Sequence, residues 1–337
     1  FSDVLSSWIL MFLLFTSSLT MFMSGLIANY EYDLKKIIAL STLSQLGLML
    51  SVLALGESML AFFHLLMHAL FKALLFMCAG CIIHNMNNCQ DIRYMGSLGG
   101  FIPLTSSFFN ICNLSLCGLP FLSGFYSKDL ILEFMSMSYM NFYIYFIFYF
   151  STGLTVMYSM RLVYYTMFGD YNSFSYMSVM DSSDKMLKGM GGLILFVIFG
   201  GSIMSWLVFP TPYFICLPLL MKLMVLFTVF LGGFFGFMIS NINFNDLSKT
   251  LNFYSLSFFF SSMWNLNYLS TFGTSFYFLN MGEKYYSFID QGWSEYYGSQ
   301  QMFVGIKYSS IFIQKIFMNN IKIFLTLFLI WICLLFL

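Results

Sequence analysis

Long apolar runs recur along this chain, separated by short polar connections. A helix rises about 1.5 Å per residue and the hydrocarbon layer is about 30 Å thick, so runs of about 20 residues can cross it. The charge-poor runs predict spans at about 5–30, 37–55, 59–83, 141–168, 189–209 and 219–240, with a last one within 316–337. The pattern predicts an all-α polytopic membrane protein with about seven transmembrane helices.

One of these helices is predicted to be broken. The stretch from Leu98 to Glu133 is too long for one simple span, and it is interrupted by Cys117-Gly-Leu-Pro120 and again by Gly124. Glycine and proline interruptions of this kind are typical of discontinuous helices at transport sites. We therefore expect a broken helix near 98–134.

The pattern changes after residue 240. Fifteen of the thirty-three residues 250–282 are Ser, Thr, Asn or Gly, and charged residues follow from Glu283 onwards. A long amphipathic helix along the membrane surface explains both features. One additional span at about 253–281 is the alternative. The predicted organisation is a bundle at 1–240, a surface helix at 241–315 and an anchor at 316–337.

Composition agrees with a membrane protein. The chain is 60% hydrophobic and 8% charged, whereas soluble domains are about 45–50% apolar and about 25% charged. The formal net charge is zero, so nothing indicates binding to nucleic acid. Most of the seven cysteines lie in apolar spans, and Cys78-x-x-Cys81 lacks a second pair, so packing is favoured over a metal site or a disulfide.

Three ionisable residues recur at every fourth position inside one apolar span: His64, His68 and Lys72. Four residues of a helix turn roughly 400° and rise about 6 Å, so these side chains form one slowly drifting line. Ionisable residues in a span are costly, and they mark proton or ion pathways by default.

A second ionisable group follows the break in the helix near 98–134. Lys128 and Asp129 are adjacent, so on a helix they diverge by about 100° and need not pair with each other. An interfacial position or a snorkelling lysine is the alternative, but the break favours a buried role.

Polar residues also cluster on the first turns of the second span. Ser41, Thr42, Ser44 and Gln45 can hydrogen-bond to neighbouring helices or support a chain of water molecules.

The basic residues outside the spans predict the orientation. If the first span ends inside, the inside loops hold Lys35, Lys36, Arg93, Lys185 and Lys188. The opposite loops carry no lysine or arginine, so the positive-inside rule places these five residues on the inner side.

Several motifs together resemble one known family. His64-x3-His68-x3-Lys72 and Pro120-Phe-Leu-Ser-Gly-Phe-Tyr-Ser-Lys128-Asp129 are similar to chain 5 of mitochondrial NADH:ubiquinone oxidoreductase, respiratory complex I, and so are the stretches 33–49 and 76–84. The resemblance covers essentially the whole chain and is closest to insect versions.

This resemblance implies an antiporter-like, proton-translocating subunit in the mitochondrial inner membrane. It makes Lys72 the central lysine of the proton route, His64 and His68 the residues leading to it, and Lys128 with Asp129 the pair near the exit. It makes the surface element a lateral helix on the matrix side. It also implies that the first half of the family's sequence, with the inward-facing half-channel, lies outside this chain.

The resemblance also implies the partners. These are other membrane-arm subunits of complex I, including the neighbouring antiporter-like subunit, together with lipids. No cofactor is expected in this chain, because FMN and the iron–sulfur clusters belong to partner subunits. Two alternatives remain: a mainly structural clamp of the membrane arm, or a free-standing cation/proton antiporter.

Overall fold

Helices form nearly all of the regular structure in the computed structural model of this protein. It describes residues 4–137, 142–173, 175, 178–181, 184–242, 253–318 and 320–337. The chain divides into two compact units, Phe1–Trp264 and Asn265–Leu337.

The first three helices are long and close to their predicted positions. They are α1 (Ser7–Tyr30), α2 (Leu34–Ala54) and α3 (Ser58–Asn85). The polar Glu31-Tyr32-Asp33 turn separates α1 from α2, and a tight turn at Gly56 (φ 98°) separates α2 from α3. Helix α2 packs against both neighbours, and thirteen of its residues are buried.

The turn after α1 is joined to the loop after α3. Asp33 and Asp91 form an isolated antiparallel bridge, in which the Leu34 N–H donates to Gln90 O (2.9 Å) and the Ile92 N–H donates to Tyr32 O (3.0 Å). Hydrogen bonding to the Asp91 carboxylate raises the pKa of Arg93 in this loop. Lys35 and Lys36 lie in the first turn of α2, not in a loop, and this turn meets the loop that carries Arg93 at one end of the bundle.

Both arginines of the chain lie against one tyrosine at this end. The Arg93 guanidinium is 4.4 Å, and that of Arg161 5.2 Å, from the centre of the Tyr32 ring. Arg161 is buried and donates from Nη2 to Ala28 O (2.9 Å) and to Glu31 O. These carbonyls have no partner within the ending helix, so Arg161 caps the carboxyl end of α1.

The predicted broken helix has four parts. They are α4 (Leu98–Phe101), α5 (Pro103–Cys117), a wider π-helical turn (Phe125–Asp129) and α6 (Leu130–Met137). The break therefore lies between Cys117 and Phe125, where the glycine and proline residues predict it.

Glycine is required on both sides of this break. Gly118 ends α5 in the left-handed region (φ 83°), where side chains are disfavoured. A Cβ atom at Gly124 would lie 1.7 Å from Ser115 O, so only glycine allows the returning chain to approach α5.

Three further helices complete the bundle: α7 (Phe142–Val163), which continues as a π-helical turn to Phe168, α8 (Asp184–Val208) and α9 (Leu219–Ser240). Helices α7 and α9 approach closely through the glycines of α9. A Cβ atom at Gly232 would lie 2.5 Å from Gly153 O, and one at Gly236 would lie 2.6 Å from Met157 O. These glycines therefore allow the backbones of the two helices to come into contact.

Six helices in the described part of the chain are long and apolar enough to cross a membrane, or seven if one bent pair near the end counts as a span. They are Ser7–Tyr30, Leu34–Ala54, Ser58–Asn85, Phe142–Phe168, Lys185–Val208 and Leu219–Ser240. The prediction of an all-α polytopic membrane protein is confirmed.

Residues 243–252, near the start of the surface element predicted at 241–315, lie outside the described residues. Helix α10 (Tyr254–Ser261) follows, and then a turn in which Met263, Trp264 and Asn265 have φ of 54–58°. This turn interrupts the additional span considered at 253–281.

In the second unit, helical structure continues from Tyr268 through α11 (Gly273–Tyr285), a π-helical stretch (Tyr286–Gln300) and α12 (Gln301–Phe317). The chain bends by 105° before α13 (Ile321–Leu335).

Candidate functional site

Lys72 lies near the middle of α3 and is buried, with 4% of its surface exposed. Its Nζ donates to Ser41 Oγ of α2. No carboxylate of the described residues forms an ion pair with it. Keeping a buried amine in its charged form without a counter-charge costs free energy. Such an amine can therefore give up or take a proton when its surroundings change.

His64 connects two other helices. Its Nδ1 lies 3.0 Å from Ser127 Oγ in the π-helical turn, and its Nε2 lies 3.2 Å from Gln45 Oε1 of α2. The side chain is 1% exposed. Both ring nitrogens are therefore engaged, one of them by the residue that precedes Lys128.

His68 has a different environment. Its ring packs edge-on against Phe71, with centroids 5.3 Å apart, and its centroid lies 6.3 Å from that of His64. Its Nε2 is buried and has no hydrogen-bond partner among the described residues. The three residues share one line on α3 as predicted. The hydrogen bonds of His64 lead to α2 and to the π-helical turn, that of Lys72 leads to α2, and none of them leads to His68.

Lys128 is buried beside the break. Its Nζ donates to Thr155 Oγ1 of α7 (2.9 Å) and, at 3.4 Å, to Leu116 O. The Leu116 carbonyl lies in the last turn of α5, where carbonyl groups lose their helical partners. The broken helix thus supplies an acceptor for the lysine that follows it.

Asp129 does not pair with Lys128. The two residues form no ion pair in the described structure, as their divergence on a helix predicts, and Asp129 Oδ1 is buried without a partner among the described atoms. A Cβ atom at Gly118 would lie 3.2 Å from this oxygen. Asp129 therefore lies against the break itself.

A polar stripe on α7 was missed by the sequence reasoning. Thr155, Tyr158 and Ser159 are buried on the side of α7 that faces the site. Thr155 accepts from Lys128, and Ser159 Oγ lies 2.9 Å from Cys117 Sγ. The i, i+3, i+4 spacing of these residues in an apolar span was the signal that could have found them.

Four of the seven cysteines are buried, and none of the described cysteines forms a disulfide. Cys78 Sγ donates to Met190 Sδ at 3.6 Å, which joins α3 to α8. No group of His, Cys, Asp and Glu side chains among the described residues is arranged to hold a metal ion.

Two known protein families match the two halves of the chain. The family described as NADH:quinone oxidoreductase/Mrp antiporter, transmembrane, matches residues 1–155. The family described as NADH dehydrogenase subunit 5 C-terminus matches residues 158–337, which is more than half of the chain. The chain belongs to the NADH dehydrogenase subunit 5 family.

Relatives in this family are similar over nearly the whole chain. NADH-ubiquinone oxidoreductase chain 5 of Aedes aegypti is 55% identical over 96% of this chain and 56% of the relative, and that of Anopheles gambiae is 54% identical over 98% and 57%. The Lumbricus terrestris protein is 37% identical over 96% and 56%. The chain thus spans just over half the length of these subunit 5 relatives.

A solved structure shares the fold. A chain of the Mrp complex from a Dietzia species superposes with a TM-score of 0.55 at 20% identity, over 74% of this chain and 30% of that one. At this identity the likeness shows a common fold and nothing more.

Proposed function

We propose that this chain forms the later part of the proton route in a proton-translocating membrane-arm subunit of respiratory complex I. In this role it couples NADH:ubiquinone oxidoreduction to proton pumping. The observation that carries the proposal is the buried contact of His64 with Ser127, which brings the Lys72 region of α3 next to Lys128 of the broken helix. Buried ionisable side chains such as those of Lys72 and Lys128 are otherwise avoided inside membrane spans.

In this proposal, Lys72 stores a proton near the membrane centre. No carboxylate of the described residues neutralises it, so a charge that arrives or leaves nearby changes how firmly its proton is held. His64 and His68 pass protons with ordered water molecules. Lys128 with Asp129 governs release on the intermembrane side.

The location and partners belong to the same proposal. The subunit crosses the mitochondrial inner membrane several times, with the lateral helix on the matrix side. It contacts other membrane-arm subunits, including a neighbouring antiporter-like subunit, and lipids. FMN and the iron–sulfur clusters lie in partner subunits, so this chain contributes proton transfer and no redox centre.

The decisive experiment replaces each buried lysine by an uncharged side chain of similar length, in the full-length subunit within assembled complex I. We expect Lys72→Met or Lys128→Met to lower the number of protons pumped per NADH by on the order of tenfold or more, because an obligatory proton carrier is removed. Proton uptake by inverted membrane vesicles, measured against NADH consumption, gives this ratio.

Lys188→Met is the matched control, because Lys188 is an exposed lysine near the start of α8. The number of protons that the Lys188→Met complex pumps per NADH should equal that of the unaltered complex. Normal pumping by an assembled Lys72→Met complex would refute the proposal.

A second, compatible role is a structural clamp. The second unit exposes many large aromatic side chains, among them Phe288, Trp293 and Tyr297, which are 57–66% exposed. Exposed apolar surface of this extent marks contact with protein or lipid. A free-standing cation/proton antiporter would instead produce sodium flux without NADH.

A further inference from the structure

Cys117 is the last residue of α5, immediately before the break, and it has no part in the proposed proton route. Its side chain is buried, and its Sγ lies 2.9 Å from Ser159 Oγ of α7. The apolar surroundings of this cysteine in the sequence favour packing as its only role. The contact with Ser159 adds a hydrogen bond at the point where the helix stops.

The direction of this hydrogen bond follows from the other contact of Ser159. The Ser159 hydroxyl group donates to Val156 O of its own helix (2.8 Å). A serine hydroxyl has one proton and two acceptor positions, and a thiol can donate. Ser159 therefore offers an acceptor to α5, and the Cys117 S–H group is the donor.

Thr155 lies one turn earlier on α7 and is used in the same way. Its hydroxyl group donates to Thr152 O (2.7 Å) and accepts from Lys128 Nζ (2.9 Å). Residues four apart on a helix share one face and lie about 6 Å apart along its axis. Helix α7 thus presents two acceptors in a row to the broken helix, one for the cysteine before the break and one for the lysine after it.

The neighbours of Cys117 in the chain both approach the charged residues that follow the break. Leu116 O accepts from Lys128 Nζ at 3.4 Å, and a Cβ atom at Gly118 would lie 3.2 Å from Asp129 Oδ1. The carbonyl groups in the last turn of a helix carry a partial negative charge, which stabilises a cation. The position of this turn therefore determines how closely the Lys128 ammonium group contacts a favourable carbonyl group.

The contact of Lys128 with Leu116 O is sensitive to small shifts. Its length of 3.4 Å exceeds the usual range of about 2.7–3.2 Å for such hydrogen bonds, whereas the bond to Thr155 is 2.9 Å long. Helix ends also fray easily, because their last carbonyl groups lack helical partners. A side chain that ties the last turn of α5 to α7 therefore keeps this carbonyl group beside Lys128.

We infer that Cys117 is a positioning residue, whose hydrogen bond to α7 holds the Leu116 carbonyl group against the Lys128 ammonium group. The two bonds to α7, together with the contact between Lys128 and Leu116 O, close a ring around the break. Loss of the thiol group opens this ring at a link that does not involve Lys128 itself. The inference rests on the proposed proton translocation, in which Lys128 governs release.

The test removes the hydrogen bond from either side, in the full-length subunit within assembled complex I. Cys117→Ala removes the donor, and Ser159→Ala removes the acceptor. We expect each variant to assemble at normal levels on native gels and to pump several-fold fewer protons per NADH, because Lys128 loses one of its two acceptors. Ser159→Ala deletes a single oxygen atom and provides the test if Cys117→Ala lowers assembly.

Cys117→Ser distinguishes the hydrogen bond from packing. Serine retains a donor at this position but is smaller and more polar than cysteine, so it replaces the hydrogen bond and not the apolar contacts. We expect the Cys117→Ser complex to pump a normal number of protons per NADH. The double variant of Cys117→Ala and Ser159→Ala should pump as many protons as either single variant, because both changes remove the same bond.

Ser151→Ala is the matched control for Ser159→Ala. Ser151 is another buried serine of α7, and its hydroxyl group donates to Phe148 O (2.9 Å). Its replacement should leave the number of protons pumped per NADH unchanged.

Three results would overturn the inference. They are normal pumping by the Cys117→Ala and Ser159→Ala complexes, a Cys117→Ser complex as impaired as Cys117→Ala, and a double variant whose effects multiply. Lys128→Met separates this failure from that of the proposed function. Impaired pumping by Lys128→Met with normal pumping by Cys117→Ala rejects only the role of Cys117, whereas normal pumping by Lys128→Met rejects the proposed function itself.

Discussion

At the scale of single residues, the site is a set of buried polar side chains that act in pairs. Lys72 is held by Ser41, and Lys128 is held by Thr155. Each lysine has a neutral hydroxyl acceptor, and no carboxylate of the described residues pairs with either one. A neutral acceptor can orient an ammonium group without trapping its proton, which suits a residue that must release it.

Thr155→Val tests this pairing at Lys128. The threonine hydroxyl donates to Thr152 O (2.7 Å) and accepts from Lys128, so valine removes the acceptor and keeps the shape. A buried hydrogen bond to a charged group contributes about 1.5–3 kcal/mol. We expect assembled complexes to pump several-fold fewer protons per NADH.

The control for that measurement is Thr152→Val. Thr152 is another buried threonine of α7, and its hydroxyl donates to Tyr149 O at 2.8 Å. The complex that carries Thr152→Val should pump a normal number of protons per NADH. Equal effects of the two substitutions would mean that the bond to Lys128 is unimportant.

At the scale of secondary-structure elements, the break in the helix determines the positions of Ser127 and Lys128. The chain returns towards α5 after the break, and the π-helical turn then carries both side chains inwards, towards α3 and α7. Such wide turns are frequent at functional sites. The absence of a side chain at Gly124 permits this close approach to Ser115 O.

Gly124→Ala should disrupt this arrangement. The added methyl group would lie 1.7 Å from a backbone oxygen, which cannot move aside cheaply, so the π-helical turn must shift. We expect less assembled complex on native gels and fewer protons per NADH in what assembles.

Gly191→Ala in α8 is the matched substitution, because nothing lies within 4 Å of a Cβ atom there. It should behave like the unaltered subunit. A Gly124→Ala complex that forms at normal levels and pumps normally would contradict the role given to the break.

At the scale of the whole molecule, the two units differ in how far they bury their side chains. The helices of the first unit surround a large buried core, whereas no residue of α11, α12 or α13 is buried. A helix that buries nothing within its own chain relies on partners or lipid for its stability. This contrast supports the clamp as a role of the second unit.

Deleting residues 265–317 from the full-length subunit tests the clamp. We expect the complex to lose its distal membrane arm or to fail to assemble, because the exposed aromatic surface no longer bridges to partners. Native gels with subunit-specific antibodies measure this loss. Trp293→Ala alone should assemble, and a deletion variant that assembles and pumps normally would rule out the clamp.

Much of the fold of this protein can be predicted from its amino-acid sequence. Apolar runs of sufficient length must become helices in a membrane, where backbone groups have no water to bond, so the spans and the break at Gly118 and Gly124 were predictable. The line of His64, His68 and Lys72 followed from the helical period alone.

The partners of those side chains depended on tertiary structure. Helical spacing shows which residues share a face but not which neighbouring helix that face meets. Only the packing of α2 and α7 against α3 and the broken helix brought Gln45 to His64 and Thr155 to Lys128. These contacts join residues far apart in the chain, and for that reason the local pattern could not predict them.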